Sequence, residues 1–178
     1  MLKMQLSKKR LTSKEFALIE ELVEWHTKIK DIVWIVGSER AELYAKHCYK
    51  ELGVRPPNGI PGSATARSIK LGVRMQYSAL AVEYTNALKR GHSRNDAMLT
   101  VYRLFWNEFK NQKYIAKSSI WISTSKNIDC QNEELVLCGA CGGQYLISSS
   151  VEQYCDEVCI WCNHAMPMHL FSKYVNSK

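Results

Sequence analysis

"CGACGGQYLI" (residues 138–147) holds two cysteines two residues apart, then two glycines and a short apolar run. "CIWC" (159–162) repeats the cysteine spacing after an interval of seventeen residues. Two such pairs separated by roughly 15–20 residues are what a tetrahedral thiolate site needs, because each pair brackets one tight turn and a hairpin between them carries the chain across the metal and back. Zinc is the expected ion: borderline-soft, redox-inert, and without a geometric preference that resists the tetrahedron. Cys138, Cys141, Cys159 and Cys162 are the expected ligands. The position after a second cysteine must often turn with positive φ while peptide N–H groups face sulfur; Gly142 and Gly143 do this without strain, and Asn163 tolerates it at the matching place. A module of this size has little core, so the metal is expected to contribute folding energy outright.

Other readings of these residues stay open. Cys155, His164 or His169 could replace a member of the second pair. A lone CxxC can be a redox motif, but no thioredoxin-like βαβ pattern surrounds either pair. Cysteines can also be plain apolar residues, which is common for single ones and unusual for two paired sets. Four protein ligands would close the site, which argues for structure over chemistry.

Outward from the cysteines the pattern is helical. Thr12-x-x-Glu15 reads as a capping box ahead of Phe16, Ile19, Val23, His26 and Ile29, which share one helical face. Gly37-Ser38 interrupts, and Ser38 is a plausible N-cap for a helix with Ala41, Tyr44, Ala45, Cys48 and Leu52 at helical spacing; Gly53 can end it. "RPPNGIPGSA" (55–64) must be a loop. Tyr77, Leu80, Ala81, Tyr84, Ala87 and Leu88 form an amphipathic stripe ending near Gly91. Ser93-x-x-Asp96 caps a further helix through "DAMLTVYRLFWNEF", apolar on nearly all sides and so expected to be buried in the core or against a partner, with Trp25 and Trp34 adding to that surplus. Around 117–137 the signal is weak, and "SSIWIST" suits a strand or a helical turn. The expected fold is mainly α: a helical body over 1–120 with a helix-turn-helix-like N-terminal part, and a small zinc-ribbon-like module of four cysteine ligands over 121–178.

Hydrophobic residues make up 46% of the 178, enough for a packed core. The net charge of +7 is uneven. Residues 1–53 carry ten basic and eight acidic side chains, residues 54–120 eleven against three, and the remainder three against six. The positive excess thus lies in the middle of the chain, and a polyanion, nucleic acid first, is the natural partner. On the second helix of the helix-turn-helix pattern, Arg40, Lys46, His47 and Lys50 lie opposite the apolar stripe, although Glu39, Glu42 and Glu51 dilute the charge. Arg55, Arg67, Lys70 and Arg74 extend the cationic run, as phosphate contacts require. The start, "MLKMQLSKKR", has no apolar h-region, and the longest apolar run, "IVWIV", is too short to span a bilayer. The expectation is a cytoplasmic protein with no membrane association, whose cysteines are thiols or metal ligands. No phosphate-cradling glycine loop, nucleophile elbow or HExxH is present, so no enzyme is expected.

"YKEL" (49–52) followed by "PPNGIPGS" (56–63), "LKRG" (88–91), "DAMLTVYRLF" (96–105) and the two cysteine blocks come in an order and spacing that resembles the FlhC family, the zinc-containing subunit of a flagellar transcriptional activator. The resemblance covers about residues 25–163. It implies zinc on the four cysteines named above, a hetero-oligomer with an FlhD-like partner, promoter DNA binding and recruitment of RNA polymerase. It departs from the flagellar pattern in a second cysteine pair shifted by about one residue, a poorly matching segment 106–136, and the lack of a longer basic tail after Cys162. These departures are similar to the FlhC-like activators of conjugative plasmids and integrative elements (the AcaC and SetC group), which switch on transfer genes. Two alternatives are a different zinc-ribbon nucleic-acid-binding protein and a structural subunit whose basic belt meets an acidic protein.

Overall fold

A computed structural model describes residues 10–59, 63–65, 69–148 and 158–163. These form six helices and one two-stranded antiparallel sheet: α1 (Ser13–Glu24), α2 (Ile29–Val36), α3 (Arg40–Glu51), α4 (Leu71–Lys89), α5 (Arg94–Phe109), α6 (Ser118–Asp129), β1 (Glu133–Leu137) and β2 (Gln144–Ser148). The mainly helical fold with a small cysteine module is as expected. Two compact units emerge, Met1–Pro61 with Lys117–Ser119, and Gly62–Ala116 with Ile120–Lys178, their extent here being that of the described residues. The division does not follow residue 120: α4 and α5 belong with the cysteines.

In the first unit the Thr12–Glu15 capping box is formed, with Thr12 N–H donating to Glu15 Oε2 (2.6 Å) and Glu15 N–H to Thr12 Oγ1 (3.3 Å). α1 buries Ile19, Leu22 and Val23. It stops earlier than the apolar spacing suggests, because His26 turns left-handed (φ 54°). His26 N–H then reaches Val23 O and Thr27 N–H reaches Leu22 O, a Schellman ending without glycine. Trp25, expected to add surplus apolar surface, is buried here. Three residues, Gly37 to Glu39, join α2 to α3; Gly37 ends α2 left-handed, and Glu39, not Ser38, is the N-cap of α3. α3 buries Ala41, Ala45 and Tyr49, whereas Leu52 is exposed. Tyr49 OH donates to Thr27 O (2.6 Å), and Ser118 Oγ donates to Trp25 O (2.9 Å), fastening the turn after α1.

In the second unit α4 buries the expected Tyr77, Leu80, Ala81, Tyr84 and Ala87, with Ser78 among them. α5, N-capped by Ser93, buries Ala97, Met98, Val101, Tyr102 and Phe105 on one side and leaves Leu104 67% exposed. The weak stretch near 120 is helix α6, whose Trp121 is fully buried edge-on to Tyr84 and donates from Nε1 to Met98 O (3.1 Å). β1 and β2 pair with Val136 opposite Tyr145 and Leu137 opposite Gln144. Ser78 of α4 accepts the Leu146 N–H (3.0 Å), so the helix satisfies an amide of β2 and holds the hairpin against itself. Among the described residues no helix is long and apolar enough to cross a membrane.

Candidate metal centre

The first cysteine pair lies in the hairpin connection between Leu137 and Gln144. Its turn closes through Gly142 N–H to Cys138 O and Cys138 N–H to Gly143 O, both 2.9 Å. The second pair closes likewise, Asn163 N–H donating to Cys159 O at 2.9 Å. Gly142 (φ 70°) and Asn163 (φ 57°) take the left-handed conformation their places after each second cysteine require. Gly143 has another role: a Cβ there would meet Trp161 Cδ1 at 2.6 Å and Cys141 Sγ at 3.3 Å. The cysteine spacing suggests a hairpin between the pairs; among the described residues the hairpin is β1–β2, which surrounds the first pair, and residues 149–157 between the pairs lie outside the described residues.

The four sulfurs lie within 4.8 Å of one another, with Cys138–Cys162 at 3.7 Å and Cys141–Cys159 at 3.8 Å. An ion with metal–sulfur bonds of about 2.3 Å places its sulfurs about 3.8 Å apart along a tetrahedral edge. The donor set therefore fits a four-coordinate metal ion. Peptide N–H groups of Gly143 and Trp161 approach Cys141 Sγ and Cys159 Sγ, each at 3.4 Å, and complement charge on sulfur. The N–H groups of Cys141 and Ala140 hold the Cys138 thiol down to about 6, while burial pushes Cys159 up. Cys138 and Cys159 are buried with Val136, Tyr145 and Ile160, and Met75 of α4 packs against them; Cys141 and Cys162 face outward. Cys48 and Cys130 are not in the cluster. Cys155, His164 and His169 lie outside the described residues.

The cationic residues divide between the units. Arg40, Lys46, Lys50 and Arg55 are exposed in the first, and Lys46 is paired with Glu42 at 2.6 Å. Leu43, 72% exposed, sits amid the α3 cations, a residue that a count of charges passes over. Lys70 and Arg74 lie at the start of α4 in the second unit, Lys70 Nζ standing 3.5 Å above the Tyr114 ring. Arg67 lies outside the described residues. Trp161 is a further residue that the sequence reading misses. Its neighbour Ile160 takes the buried place between the two cysteines, and Trp161 is left 39% exposed.

No family model matches the chain, and no curated protein matches it.

Proposed function

We propose that the chain is the DNA-binding subunit of a transcriptional activator, holding a structural zinc ion and acting in a hetero-oligomer with an FlhD-like partner. The observation that carries the reading is the pair α2–α3: two helices joined by a three-residue turn, packed on α1, with Arg40, Lys46 and Lys50 on the exposed side of the second helix. A helix so presented can enter a major groove, with its cations reaching base edges and neighbouring phosphates. The eleven-to-three excess of basic residues over 54–120 supports phosphate contacts from Arg55, Arg67, Lys70 and Arg74.

Zinc, when bound, supplies folding energy to the second unit, and with four thiolates around it no coordination position is left for substrate. Leu104, exposed on α5, suits burial against the partner subunit. The proposed setting is cytoplasmic, with RNA polymerase recruited to promoters, those of conjugative transfer genes ahead of flagellar ones.

Salt titration of duplex binding tests the reading. Affinity of the complex should fall with a log–log slope of about −0.9 per phosphate contact, and Arg67→Ala should flatten it by about one unit on every sequence. Arg40→Ala should cost roughly 1–3 kcal/mol on the selected sequence and little on random duplex. Parent-like binding by these variants at every salt concentration would refute the assignment.

A further inference from the structure

The exposed face of α3 carries a group that cations alone do not explain. Leu43 is 72% exposed, the most of any large apolar side chain among the described residues, and the only exposed apolar one within Arg40–Glu51. At about 100° per residue it stands opposite Ala41, Ala45 and Tyr49, the side by which α3 is buried. Arg40 one turn earlier and Lys50 two turns later share its face, and both are exposed. Two neighbours are engaged within the chain: Lys46 Nζ lies 2.6 Å from Glu42 Oε1, and the His47 ring packs on Tyr44 with centroids 6.2 Å apart. Glu39, the N-cap, is the acidic residue at the start of this face.

A protein partner is met through a contiguous apolar patch, and one leucine between cationic residues offers little of that. It matches a single apolar group in an anionic setting. The major groove of duplex DNA supplies one: thymine's 5-methyl is the apolar group among the base edges there, with phosphates on both rims. Leu43 lies in the first turn of α3, the part of a recognition helix that meets base edges. Glu39 fits the same groove, where cytosine N4 is a donor. We propose that Leu43 reads a thymine by packing on its 5-methyl group, so that sequence choice comes from an apolar contact as well as from the cations. The proposal rests on the DNA-binding reading above and names a specificity-determining residue within it.

The test uses the zinc-loaded full chain, in whatever complex it co-purifies with, and a duplex that this complex selects from a random-sequence library. Each thymine of that duplex is replaced in turn by deoxyuridine, which removes the methyl group and nothing else. The parent should lose about fourfold in affinity at one thymine position, the worth of one apolar carbon taken from water. Leu43→Ala should bind the thymine duplex about as weakly as the parent binds the uracil one and stop distinguishing the two at that position. It should keep the parent's salt slope, since no charge is lost. Because Leu43 is exposed and alanine favours helix, this variant should melt like the parent. Selective duplex binding in which no thymine methyl matters, or in which Leu43→Ala keeps the parent's discrimination at every thymine, would overturn the assignment to Leu43 and leave the DNA reading intact. If Leu43→Ala instead falls out of its complex, the leucine belongs to a protein interface and the proposal fails. No salt-dependent duplex binding at all would overturn both.

Discussion

Gly143 and Trp161 form a lock between the two cysteine turns that a single methyl group should break. Gly143→Ala puts a Cβ 2.6 Å from an indole carbon that the Gln144 hydrogen bond prevents from moving away. Overpacking of this kind costs about 1–3 kcal/mol, so thermal melting should fall and a chromophoric chelator should strip the metal faster. Asn163→Gly should be tolerated, since the place needs only positive φ. Glu133 offers a pH test. Its carboxyl is buried, accepts from Ser63 Oγ at 2.7 Å, and is pushed above its ordinary 4.5 chiefly by burial. An acid that holds its proton more tightly folded than unfolded contributes stability that is complete below pH 4.5 and lost as pH rises through the raised value. Glu133→Gln should therefore melt higher than the parent at neutral pH, with the gap closing as pH falls through the raised value and closed below 4.5.

Helix ends decide how much of each element could be read from the sequence. α3 and α4 end at Gly53 and Gly91, both left-handed and both legible, because glycine advertises the conformation. α1 and α6 end in the same geometry at His26 (φ 54°) and Gln131 (φ 59°), and neither end is legible in the pattern. The apolar face of α1 continues through His26 to Ile29, so periodicity alone runs two helices together; "SSIWIST" hides a helix because β-branched and hydroxyl residues weaken the helical signal. Thr12 and Ser93 mark two helix starts correctly, since each side chain accepts the N–H three residues on. Replacing His26 or Gln131 with glycine should relieve left-handed strain and stabilise the fold by up to ~1 kcal/mol, less the entropy glycine adds to the unfolded chain. Thr12→Ala should cost about 1 kcal/mol. Urea denaturation of the three variants reads both signs.

Across the whole molecule, the cysteine spacing reveals the four thiols that cluster but not what they are built upon. The sequence pattern divides where helices give way to short strands, near residue 120, whereas packing makes α4, α5, the hairpin and both cysteine turns one unit. The reason is long-range: Ser78 accepts the Leu146 N–H and Met75 packs on the sulfur-bearing core, contacts that no local period reports. The four cysteines should accordingly act as the keystone of the second unit rather than of a detachable tail. Native mass spectrometry of the full chain, paired with its melting curve before and after chelation, tests this most directly. One zinc per chain is expected, lost in the Cys138→Ser/Cys162→Ser variant but kept in Cys155→Ser, with chelation lowering the melting of the tryptophan core around Trp121. A chain that folds and melts identically without metal, or a double serine variant that keeps its full zinc, would contradict it.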